Sequence, residues 1–235
     1  MDAESLRHNR RGRVALLPPV FMPPSSYYAL MSLYDAAVID VDMPYDKRMK
    51  GVHRTTICDT HGPLLLTVPV KRPHNVPDLK WSSIGVSAHG RWWEVHRVAL
   101  ESAYGRTPYF EHLFYLFSHF FAQRNTDENT LEPITDLDTG LGAIIRSILG
   151  IDTAVSIPFA KGSPLNPPDE VIDDWRAFDF SDPAVDVGPY QQVRQDKFGY
   201  IPSLSVIDLI FNCGPKASAE IIAAGARNFI DAYGL

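Results

Sequence analysis

At 235 residues, with 45% hydrophobic and 21% charged side chains, the chain has the make-up of an ordinary globular protein with ample material for a core. Its net charge of −6 and pI of about 5.7 exclude nonspecific nucleic-acid binding across the whole surface, though not a local basic patch. Only two cysteines occur, Cys58 and Cys213; they are far apart and outside any CxxC pair, which fits a reducing compartment and no zinc site.

The first thirteen residues, MDAESLRHNRRGR, are polar and basic with no apolar run behind them. They read as a frayed tail rather than a signal peptide, and no later run reaches the roughly 18 apolar residues of a membrane span. A cytoplasmic protein without membrane insertion is expected. Val14 to Leu17 reads as a buried strand running into Pro18-Pro19, and Pro23-Pro24 extends that loop. Ser25 or Ser26 can cap a helix through about Tyr34, and Ala37 to Val41 reads as a second strand. This is a βαβ-type start, in which ligands gather at the loop after the first strand. The loop has no glycine, so it is no phosphate-cradling fingerprint.

From Asp40 the sequence runs DVDMPYDKRMKGVHR, placing Lys47, Arg48, Lys50, His53 and Arg54 within eight residues. Such a cluster is either a solvated loop or a clamp for phosphate or carboxylate, since Arg forks and Lys ammonium groups are charge-assisted donors. Its place directly after a strand favours the clamp. Thr55 to Cys58 and Leu64 to Val70 read as a hairpin around a turn holding His61, and Ile84 to Ala88 as a further strand.

Trp92 to Phe121 is the densest aromatic stretch, with ten Phe, Tyr and Trp residues. Its first part is free of Pro and Gly until Gly105, which predicts a helix over Trp92–Tyr104. Its second part spaces Phe110, Leu113, Phe114, Phe117 and Phe121 as a buried helical stripe. After a break at 128–133, Leu137 to Leu149 forms a third helix ended by Gly150, and Val155 to Phe159 a strand. Residues 161–189, rich in Pro and Asp, read as a long surface loop. A helix through Phe211, capped by Ser203 or Ser205 and stopped by Gly214-Pro215, precedes a last helix over Ala217–Asp231. The expected architecture is α/β: one domain over 14–235, a mixed sheet with packed helices, and a helical C-terminal part.

Four stretches, taken in order, resemble the WbqC-like protein family of bacteria. LLPPVFMPPSSYYAL resembles its strand, proline loop and tyrosine-bearing helix. Tyr45-x-Lys47 with the run to His53-Arg54, followed by LTVPVK at Leu66–Lys71, resembles its second block. HRVALESAYGRTPYFEHLF and GYIPSLSVIDLIFNCGP resemble its later blocks. The resemblance implies a role in O-antigen and other surface-polysaccharide pathways, with transfer of an acyl or aminoacyl group to an amino sugar or sugar nucleotide. Leu17-Pro18 and Val41-Asp42 stand where many members carry His-Gln and Gln-His. His53 replaces the Asn of an Asn-Arg pair and Cys213 a glutamate, which marks a divergent member.

His96 is the candidate general base, because an imidazole near pKa 6.5 suits proton transfer at neutral pH; its alternative is a hydrogen-bonded core histidine. Asp208, at i and i+4 with Asn212, is the second catalytic candidate, with Asn212 beside it or serving as a helix cap. Lys47, Arg48, His53, Arg54, Arg97, Tyr104, Arg106 and Tyr190 are the candidate substrate contacts, although Arg97 can equally pair with Glu101 at i+4. Neither cysteine has the setting of a nucleophile. No metal pattern and no cofactor is evident; the co-substrate implied is an activated acyl or nucleotide-linked compound. Two further readings stay open: a non-catalytic ligand-binding or scaffold protein of the same pathway, and a nucleotidyl-transfer α/β enzyme.

Overall fold

The structure is a computed structural model that describes residues 12–122, 131–157 and 171–233. The tail over residues 1–11, the start of the break at 128–133, and the 158–170 part of the proline-rich stretch lie outside them. Strands β1 (Arg13–Leu17), β2 (Ala36–Ile39), β7 (Ala154–Ser156) and β8 (Val171–Asp174) form a four-stranded sheet in the order β7-β2-β1-β8, every pair parallel. The apolar sequence of β1, RVALL, follows from burial on both faces. Ala15, Leu17 and Ala37 join the main core, and Val14, Leu16 and Val38 form a small cluster on the other face. Helix α1 (Ser25–Met31) connects β1 to β2 and is buried along its whole length. Its first turn starts after Pro24 without a side-chain cap, because Ser26 donates its hydroxyl to the Phe180 carbonyl instead.

The hairpin of β3 (Arg54–Asp59) and β4 (Gly62–Thr67) lies across from this sheet, followed by the short pair β5 (Val70–Lys71) and β6 (Gly85–Val86). Helices α2 (Trp92–Tyr104) and α3 (Phe110–Phe117) hold the aromatic stretch. The stripe is inward as its spacing requires: Phe110, Phe117 and Phe121 are buried, and Leu113 and Phe114 pack on the core. Helix α4 (Ile134–Leu149) is fastened by the Ile134 amide to the Ile84 carbonyl at 2.8 Å. It ends at Gly150, whose φ of 60° suits a residue without Cβ.

The proline-rich excursion departs from expectation in its described part. Residues 171–174 are β8, paired to β1 from Arg13↔Val171 to Leu16↔Asp174, and Phe180, Val185 and Val187 are core residues. What reads as a surface loop is a sheet edge followed by a strap folded against the domain. After the one-turn helix α5 (Gln195–Phe198), helix α6 runs from Val206 to Tyr233. Gly214 leaves helical geometry at φ 75° and ψ 173°, just before Pro215, so α6 is two helical segments meeting at a kink, where Gly214-Pro215 was expected to end the first. A Cβ there would lie 2.5 Å from the Tyr109 ring, so both conformation and space require glycine. The far half of α6 seats the strap: Phe229 packs on Trp175 and Phe178, the Asn228 side chain donates to the Asp186 carbonyl, and Gly225 lets Val187 approach. Among the described residues no helix is long and apolar enough to cross a membrane.

Candidate functional site

Parallel strands share one carboxyl edge, and in open α/β sheets ligands bind outside that edge. A cavity of about 1210 Å³ lies there. Its floor comes from the chain leaving β1 (Pro18, Pro19, Val20) and β8 (Asp174). One wall is the Lys50–Val52 turn with Arg54, Thr56 and Leu65 of the hairpin, and the other is the strap from Arg176 to Ser181. Apolar walls with a few convergent charges are the usual make-up of a small-molecule site.

The charges are not equivalent. Arg48 folds back on Asp46 through Nε at 2.9 Å and Nη2 at 2.6 Å, and this fork pulls the Asp46 carboxyl down to about 2. Arg176 is held by two carboxylates: Asp174 takes Nε at 3.0 Å and Nη2 at 2.7 Å, and Asp40, at the end of β2, takes Nη1 at 2.7 Å. Lys50 and Arg54, by contrast, have no carboxylate partner among the described residues, and Arg54 Nε is buried without any hydrogen-bond partner. A buried donor without a partner costs about 1–3 kcal/mol relative to a satisfied one.

The remaining expected residues do not line this cavity. His96 is 2% exposed and packed among Phe21, Trp92 and Phe121. Its Nε2 lies 3.2 Å from the Thr67 carbonyl, which can only accept, so Nε2 carries the proton and the lone pair sits on Nδ1, buried without a partner. Burial lowers its pKa to about 4, with the carbonyl contact opposing weakly. The core-histidine alternative describes this arrangement. Arg97 donates to Glu101 at 2.7 Å on the outer face of α2, and Lys47 and Arg106 are exposed. His53 is half-buried, its Nδ1 3.2 Å from the Val68 carbonyl; burial lowers its pKa.

Asp208, Tyr190, Tyr104 and Asn212 do come together, in a separate interior cluster. Asp208 is fully buried and accepts the Tyr190 hydroxyl at 2.8 Å on Oδ2. Its Oδ1 makes no bond of ordinary geometry, although the Tyr104 hydroxyl is near enough to help hold charge on the carboxylate. Burial raises the Asp208 pKa, and the Tyr190, Tyr104 and Asn212 donors pull it partly back. Asn212 donates to the Asp208 carbonyl at 2.7 Å, and the Cys58 amide donates to the Tyr104 hydroxyl at 3.3 Å. Burial pushes up the thiols of Cys58 and Cys213, so neither has the lowered pKa of an activated nucleophile. This cluster ties α6, α2, β3 and the Tyr190 loop to one carboxylate.

Of the candidate contacts, the cavity therefore holds Arg48 and Arg54. It also holds Lys50 of the expected basic cluster, and it adds Asp174, Arg176, Asp179 and Ser203, which residue type and spacing had not singled out as contacts. The signal for Arg176 was available in principle: it follows Asp173-Asp174 at the carboxyl end of a strand, but that strand was read as loop. No curated protein and no solved structure matches the chain. The model of the WbqC-like protein family matches residues 18–173, from the loop after β1 into β8. That covers about two thirds of the sequence and most of the cavity lining, and the chain belongs to the WbqC-like protein family.

Proposed function

We propose that the protein is a transferase of bacterial surface-polysaccharide assembly that takes an activated anionic substrate, such as a sugar nucleotide, in the carboxyl-edge cavity. The observation that carries this reading is the pair Lys50 and Arg54, two cations lining one cavity without a carboxylate partner among the described residues. Phosphate oxygens are the natural partners for such groups. Transfer of an acyl or aminoacyl group to an amino sugar would then rest on positioning and charge neutralisation inside the cavity. His96 is not part of this reading, because its lone pair faces the core. A non-catalytic binding protein of the same pathway is the second reading, favoured by that orientation of His96 and by Arg97 pairing outward with Glu101.

The anion site is tested by thermal unfolding with pyrophosphate or UDP. A ligand at a hundredfold its Kd adds about 2.7 kcal/mol, a rise of several degrees for a chain of this size. The rise is expected in the wild type and absent from Lys50→Gln/Arg54→Gln, each measured against its own unliganded melting temperature. No rise in the wild type, or an equal rise in the double variant, refutes the anion site. Turnover of the bound compound with an amino-sugar acceptor separates the enzyme from the binding protein.

A further inference from the structure

We infer that Arg176, clamped by Asp40 and Asp174, is the contact for the uncharged, hydroxyl-bearing half of a ligand whose anionic half sits on Lys50 and Arg54. The inference rests on the cavity being a ligand site as proposed above, and it assigns the opposite end of that cavity. A guanidinium has five N–H donors. Nε, Nη1 and Nη2 each give one to a carboxylate, which leaves two on a residue that lines the cavity. Those bonds fix the direction of the remaining donors before any ligand arrives, which is what a specific polar contact requires.

Charge decides what the two donors meet. Arg176 with Asp40 and Asp174 sums to one negative charge, so this end repels phosphate. Lys50 and Arg54 sum to two positive charges and attract it. The cavity is polarised, and a ligand with one anionic and one neutral polar half has a single favourable orientation in it. The walls beside Arg176 fit the neutral half. The part-buried Phe178 lines that end with the nearly buried Phe180 next to it, and Asp179 between them carries acceptor oxygens. A flat apolar face next to fixed donors and acceptors matches a polyol ring, whose C–H groups lie on its faces and whose hydroxyls lie around its edge. At about 1210 Å³ the cavity has room for far more than a phosphate group.

Calorimetric titration of the full chain with orthophosphate, glucose 1-phosphate and glucose tests this. The wild type is expected to bind glucose 1-phosphate at least tenfold more tightly than orthophosphate. Arg176→Gln should erase that ratio while weakening orthophosphate only a few-fold, through the lost positive charge, whereas Arg54→Gln should weaken both phosphates by the same factor. Because Arg176→Gln leaves Asp40 without its counter-ion, Asp174→Asn provides a variant that keeps the guanidinium. It should reduce the ratio and tighten orthophosphate, since a negative charge is gone. An unchanged ratio in both variants, or an equal loss of both phosphates in Arg176→Gln, overturns the inference. If orthophosphate fails to bind, the anion site falls, and the glucose arm decides the Arg176 subsite separately. Glucose binding lost in Arg176→Gln upholds it, and no glucose binding overturns it.

Discussion

The carboxyl-edge cavity and the interior around His96 and Asp208 hold the same kinds of side chain in opposite physical states. At the cavity, cations line an open surface, either held by carboxylates as in Arg48 and Arg176 or without a carboxylate partner among the described residues as in Lys50 and Arg54. In the interior, burial works against charge: His96 is driven down to about 4 and Asp208 upward. A chemically reactive residue type therefore signals function only where water or a ligand can reach it. Inside, the same groups become fasteners whose protonation is coupled to folding.

The most forceful way to break this contrast is acid. An unfolded His96 takes up a proton below pKa 6.5, while the folded one stays neutral until about 4. Its folded pKa is the lower of the two, so the stability it supports is complete above pH 6.5 and is lost as pH falls toward 4. At 1.36 kcal/mol per pH unit that window is worth roughly 3 kcal/mol. Urea unfolding across it should show the loss, and His96→Phe, filling the space between Phe21, Trp92 and Phe121, should flatten the profile. A profile unchanged by the substitution would mean that the imidazole is accessible, and would reopen its use as a base.

A smaller effect sharpens the interior half. Tyr190→Phe removes the hydroxyl on Asp208 Oδ2 and should cost about 1–3 kcal/mol by chemical denaturation, because a buried carboxylate loses a donor. Binding of pyrophosphate to the folded variant should not change. The smallest effect is at the surface. Arg97→Ala should cost no more than about 0.5 kcal/mol, the worth of an exposed i,i+4 pair, and should leave anion binding intact. A large loss of binding in either variant would join the two regions into one site.

Much of the fold was legible where a local rule governs. The break-free run before Gly105 gave α2 to the residue, and the stripe from Phe110 to Phe121 showed which side faces inward. Strand β8 was not legible, because four residues reading Val-Ile-Asp-Asp carry too little pattern, and their strand character comes from pairing with β1. Missing β8 concealed Arg176 and Asp174, since only a strand end makes them edge residues. The Lys47–Arg54 cluster was legible as a whole but not residue by residue. Its split into the self-paired Arg48, the exposed Lys47 and the cavity-facing Arg54 depends on the turn at Lys50–Val52. His96 shows the converse limit: a helical histidine has the same sequence signature whether it faces solvent or core.

The bend at Gly214 makes α6 a lever with two arms of different duty. The near arm carries Asp208 into the interior, and the far arm carries Phe229 against Trp175 and Phe178, behind the strap that walls the cavity. One joint, in a backbone conformation that suits glycine, therefore stands between the segment holding the interior carboxylate and the segment backing the strap. A side chain larger than hydrogen at residue 214 would meet the Tyr109 ring, so both segments depend on the one residue that needs no side chain.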